Sequence, residues 1–287
     1  MLRSNGTLTL TRRAPRAFLA GICLLGFGVA ATAQGAETAL LALWERHLDA
    51  PDDPLVIARD ARDWLNDHAG TAWAPMVRTL MGWRLLQAGQ RQEAAQVLES
   101  VAAVTRDHPV DRAAVSMARR WLTRLDRERV REALKAHFAR EVAYPATLDA
   151  LRLPSDKPAP PRVDRFGAPW GYRLEPFSRI SGLASHRYRL QSRALGETSD
   201  LIEALRRPYP AADAVRIRRQ VSQRPLAIEF EITLPDQPPE TVTLAEGGRS
   251  GGLRFVTRGA GFALLTDQDD YWLVVRPERR DGYGALP

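Results

Sequence analysis

Asp164-Arg165-Phe166-Gly167-Ala168-Pro169-Trp170-Gly171-Tyr172-Arg173 is a run built for a fixed backbone. Gly167 and Gly171 admit positive φ, Pro169 fixes its own φ and pushes Ala168 extended, and Phe166, Trp170 and Tyr172 bring large apolar surface. These residues read as a turn locked onto a small sheet, with Trp170 packed on a helix near Phe138.

Working outward, the run follows a helical stretch that ends in Tyr144-Pro145-Ala146-Thr147-Leu148-Asp149-Ala150-Leu151 and precedes Tyr188-Arg189-Leu190-Gln191-Ser192. A helix, then Tyr-Pro-x-Thr-Leu-x-x-Leu, then Asp-x-aromatic-Gly-x-Pro-aromatic, then Tyr-x-Leu-x-Ser resembles the soluble domain of the major pseudopilin of type II secretion systems, a relative of type IV pilins. The resemblance spans roughly Asp111 to Gly196. It implies a helix laid under a small antiparallel sheet, and partners in a secretion or pilus machine. The sequence departs from the family pattern at Arg165, where Pro is usual, and at Phe166, where Trp is usual. The family's calcium loop carries Asp-Gly, whereas Arg193-Ala194-Leu195-Gly196-Glu197-Thr198-Ser199-Asp200 holds only two acids, too few hard oxygen ligands for a calcium site. Nor does a short leader run straight into a hydrophobic helix continuous with the soluble one, so a filament subunit is not expected.

The first 33 residues have a basic start, an apolar run from Ala17 to about Ala31, and Ala31-Thr32-Ala33 before Gln34. That is the layout of a secretory signal peptide cleaved after Ala33, with an uncleaved membrane anchor as the alternative. The formal charge of +7 is partly explained there. Arg3, Arg12, Arg13 and Arg16 lie in this segment with no acid among them, and without them 37 basic residues face 34 acidic ones. The charge therefore argues against nucleic acid as the partner. Cys23 is the only cysteine and sits inside the apolar run, so the exported chain would hold neither thiol nor disulfide.

From residue 36 to 108 the pattern is helical. Leu40, Leu43, Trp44 and His47 share one spacing, Ala58, Ala61, Trp64 and Leu65 a second, and Pro51-Asp52-Asp53-Pro54 divides them. Val77, Met81 and Leu85 form a third helix, and Ala94, Leu98 and Val101 a fourth. Gly82, Gly89, Ala94 and Leu98 stand at spacings that resemble one tetratricopeptide repeat, where small residues allow close helix crossing; a single unit is a repeat-like bundle rather than a solenoid. Residues 109–200 make the pseudopilin-like unit. Residues 210–287 switch to period two: Ala214–Val221, Leu226–Leu234, Thr241–Leu244, Leu253–Val256, Phe262–Leu265 and Tyr271–Val275 read as strands of a small antiparallel sheet or barrel. The expected fold class is α+β.

The residues of common catalytic sites are missing or badly spaced. The histidines, at 47, 68, 108, 137 and 186, form no pair at ligand spacing on a helix, and neither Gly-x-Ser-x-Gly nor a phosphate-cradling lysine loop occurs. Gly247-Gly248-Arg249-Ser250-Gly251-Gly252 lies between strands, as a hairpin does. Asp267-Gln268-Asp269-Asp270 lacks the glycine and distal glutamate of a calcium loop and fits a hairpin tip, and Glu229 and Glu231 alternate with Ile228, Phe230 and Ile232 as solvated carboxylates do. The sequence thus predicts an exported, non-enzymatic protein-interaction component in the periplasm or envelope, near a type II secretion or type IV pilus-like apparatus. It has no catalytic residue, metal or cofactor to name. The alternative is a periplasmic hydrolase using Asp164, His186 or the acids at 267–270.

Overall fold

The computed structural model describes residues 22–151, 158–175, 187–210, 212–233 and 238–277. Within them the fold is α+β, with helices filling the first half and antiparallel strands the second. Helix α1 (Ile22–Asp49) begins inside the apolar N-terminal run and passes Ala33 without a break. The basic start of that run lies outside the described residues, and no described helix is long and apolar enough to cross a membrane.

Helix α2 (Pro54–His68) starts where the sequence breaks. Asp53 caps it by accepting from the Val56 N–H, and Pro54 sits at the first turn, where a missing N–H costs nothing. Helices α3 (Ala74–Gln87) and α4 (Arg91–Ala102) are joined through Gly89, whose φ is 77°. They cross closely at Gly82, where an added Cβ would lie 2.8 Å from the Leu98 side chain. Helix α5 (Pro109–Glu141) then runs 33 residues, about 50 Å at 1.5 Å per residue, straight through Asp126. It ends at Val142, a β-branched residue at φ 56°, where glycine would carry no steric penalty.

On the second half of α5 lies a two-stranded hairpin, β1 (Gly171–Glu175) with β2 (Arg187–Gln191). Its inner residues Tyr172, Tyr188 and Leu190 join Trp170 against Val130 and Leu134. Trp170 therefore packs upstream of the expected place. Phe138 stays 37% exposed and meets Tyr144 at 4.7 Å, because the helix stops at Glu141 and the returning chain crosses it before the last turn.

After a short helix α6 (Leu201–Arg206) come β3 (Val215–Gln223), β4 (Leu226–Ile232) and β5 (Glu240–Ala245), forming one antiparallel sheet in that order. A second sheet is ordered β6 (Arg249–Ser250), β7 (Leu253–Gly259), β8 (Phe262–Asp267), β9 (Tyr271–Val275). The Gly247 N–H to Phe255 carbonyl and Phe255 N–H to Gly248 carbonyl bonds tie the two sheets. Phe230 and Ile232 of one face Phe255, Leu265 and Leu273 of the other.

The four-stranded sheet is buried on both faces. Phe262, Leu264, Trp272 and Val274 point away from the first sheet and join the core of α1 to α5. Trp73 meets Phe262 at 5.1 Å, and the Trp272 indole donates to Thr79 Oγ1 at 2.6 Å. Burying a side chain the size of Trp272 is worth roughly 3 kcal/mol. Near 108 one helix gives way to another and near 210 helices give way to strands, and packing crosses both.

Candidate functional site

The central turn is held by Asp164. Its Oδ1 accepts from the Phe166 and Ala168 N–H groups at 2.9 and 3.0 Å, and its Oδ2 accepts from Ser192 Oγ at 2.7 Å. Gly167, at φ 83°, closes the turn by donating to the Asp164 carbonyl. Trp170 donates its indole N–H to the Pro161 carbonyl, and the Tyr172 hydroxyl donates to the Pro145 carbonyl at 2.7 Å. Burial and the neighbouring tyrosines Tyr188 and Tyr144 push the Tyr172 hydroxyl up to about 12, so it stays a donor. Three separated motifs, at 144–151, 164–172 and 188–192, are thereby joined to one another and to one face of α5.

That face carries arginines at i, i+4, i+7 and i+11: Arg120, Arg124, Arg127 and Arg131. Each grips a later part of the chain or supports one that does. Arg124 is fully buried, lies over the Trp121 ring at 4.4 Å, donates Nε to the Thr198 carbonyl, and forks onto Asp270 at 2.9 and 2.7 Å. Arg120 donates to the same carboxylate at 2.7 and 3.2 Å. Arg127 donates to the Leu190 carbonyl and to Asp200, and Arg131 reaches Glu128 and Asp200. Burial alone would raise the Asp270 carboxyl, but the hydrogen bonds and charges of Arg120 and Arg124 outweigh it and hold it below the usual carboxylate range.

Three of the acids considered for a hydrolase are accordingly occupied. Asp164 has accepted three protein donors, Asp270 is saturated by two guanidinium groups, and Asp269 pairs with Arg249 and Arg254. Burial and the neighbouring Asp270 raise the Asp267 carboxyl. His186 lies outside the described residues. Glu229 and Glu231 face outward and pair with Arg219 and Arg218 on the adjacent strand. In the loop where the family holds calcium, Asp200 caps α6 and Glu197 is 91% exposed beside Arg189. Among the described residues, no group of three or more His, Cys, Asp or Glu could hold a metal ion.

A second buried polar cluster escaped the sequence reading. Arg84 and His47 are each 1% exposed, and Arg84 donates to His47 Nδ1 and to the carbonyls of His47 and Pro51 and Gln87 Oε1. All its acceptors are neutral, so the guanidinium is solvated by dipoles instead of a carboxylate. His47 accepts at Nδ1 and so carries its proton on Nε2, which has no hydrogen-bond partner; its ring meets Tyr209 edge to face at 4.4 Å, a place for a weak N–H to π contact. Burial, and then the Arg84 charge, lower His47 to about 3.

No protein-family model, curated protein or solved structure matches this chain. The likeness to pseudopilins therefore rests on the residues quoted above.

Proposed function

We propose that this protein acts by contact with other proteins, as an exported, non-catalytic accessory of a type II secretion or type IV pilus-like apparatus in a bacterial envelope. The observation that carries the reading is the joining of the three motifs. Tyr172 bonds to Pro145, Ser192 bonds to Asp164, and Trp170 and Leu190 share the Val130–Leu134 face. Residues that resemble a pseudopilin in order along the chain also depend on one another in space. The occupied state of Asp164, Asp269 and Asp270 supports a structural over a catalytic use of these three acids.

Assembly into filaments is not part of the proposal. The first half of α5, from Val110 to Leu125, packs among α3, α4 and the four-stranded sheet, which leaves only a narrow stripe at Arg112, Val115, Ser116 and Arg119 for stacking. The hairpin end of the molecule is exposed at Phe138, Phe166 and Arg173, and in this reading it docks beside pilin-like subunits or their assembly platform. The test is photo-cross-linking in the native cell from exposed positions of that end, such as Phe138 and Phe166. Capture of a secretion or pilus assembly protein, identified by mass spectrometry, is the expected result. Capture of unrelated proteins alone, or turnover of broad hydrolase substrates by the purified chain, would overturn the reading.

A further inference from the structure

The two faces of the β1–β2 hairpin differ. The inner one is held by Tyr172, Tyr188 and Leu190 on α5. The outer one carries Gly171, Arg173 and Glu175 opposite Gln191, Arg189 and Arg187, and Arg173 and Arg189 are direct cross-strand partners. Like charges placed directly opposite destabilise a strand pair. Nothing in the packing requires them, since the Arg173 and Arg189 side chains are 63% and 41% exposed. Their acidic neighbours hold them weakly: Glu175 is 3.3 Å from Arg173 within the same strand, and Glu197, itself 91% exposed, is 3.7 Å from Arg189.

Resting on the protein-contact reading above, we propose that this outer face is the docking surface for an acidic segment of a partner protein. The Arg173 and Arg189 guanidinium groups, direct partners on adjacent strands, offer donors suited to carboxylates, and Gly171 keeps one end of the face flat. The interspersed acids Glu175 and Glu197 favour a peptide over nucleic acid or a lipid surface. A peptide chooses where its carboxylates fall, whereas a uniform run of phosphates would meet both acids. The arginine opposition that weakens the free hairpin is relieved when a carboxylate sits between the two side chains.

The experiment measures binding of a labelled synthetic peptide of about ten alternating Glu and Ser residues to the full chain at low salt. A poly-dT oligonucleotide and phosphatidylglycerol vesicles are the comparison probes. The double variant Arg173→Glu, Arg189→Glu is expected to bind the peptide at least about tenfold more weakly, while Arg91→Glu, exposed on α4, changes affinity less than about twofold. Arg173→Glu alone places opposite charges across the strands and is expected to leave the unfolding midpoint unchanged or raised, which separates lost binding from lost folding. The proposal is overturned by equal weakening in all variants, by no peptide binding to the unaltered chain, or by release of the oligonucleotide or vesicles alone. If cross-linking captures a secretion component and the double variant captures it equally well, the face is wrongly assigned and the protein-contact reading stands. If nothing of that class is captured while the double variant loses the peptide, the reading fails and the face remains.

Discussion

Val142 ends the longest helix in a conformation its side chain resists. A β-branched residue at φ 56° is strained, and this one is 77% exposed, so no packing compensates. Val142→Gly is expected to raise the free energy of unfolding by about 1 kcal/mol, read from the denaturant midpoint; a loss of stability would show that the valine makes contacts the packing does not reveal. His47 is strained differently, by burial and then by the Arg84 charge. Its folded pKa of about 3 lies below the ordinary 6.5, so between those values the unfolded chain binds the extra proton. Stability is therefore full above about pH 6.5 and falls as the pH drops toward 3, with a slope from this group of at most about 1.4 kcal/mol per pH unit. His47→Gln should flatten that slope; an unchanged slope would assign the acid sensitivity elsewhere.

At the scale of elements, the period-two strands and the amphipathic helices were legible in the sequence, and β3 to β5 and β7 to β9 lie where alternation placed them. One signal was misread and a second was passed over. Phe262-Ala263-Leu264-Leu265 and Tyr271-Trp272-Leu273-Val274-Val275 are unbroken apolar runs, the mark of strands covered on both faces, yet they read as part of a separate β unit. The arginines at 120, 124, 127 and 131 drew no reading, although their spacing sets them on one face. What they grip, Asp270 and the carbonyls of Thr198 and Leu190, is far away in sequence and leaves no local trace. Asp270→Ala should cost about 3–5 kcal/mol by stranding two guanidinium groups, one of them fully buried. Trp170→Ala should cost about 3–5 kcal/mol through the cavity left on Val130 and Leu134. In calorimetry, an Asp270→Ala midpoint within experimental error of the unaltered chain would remove α5 as the common anchor, and an unchanged Trp170→Ala midpoint would remove the central turn from the stable core.

Across the whole molecule, α5 ties the helical bundle, the hairpin and the four-stranded sheet together. Its first half is packed in the helical bundle, its second half carries the hairpin, and its arginine face holds the β8–β9 turn. The helices and the four-stranded sheet consequently share one core, with Trp272 on Thr79 and Phe262 on Trp73. Cooperativity should follow, since neither side can open without exposing the other's apolar face. The direct measurement is amide hydrogen exchange across a denaturant series, followed separately for α3, α5 and β7 to β9. A single body predicts that all three reach the same opening free energy and lose protection at the same midpoint. Strands that exchange at a distinctly lower denaturant concentration while α3 and α5 stay protected would contradict it.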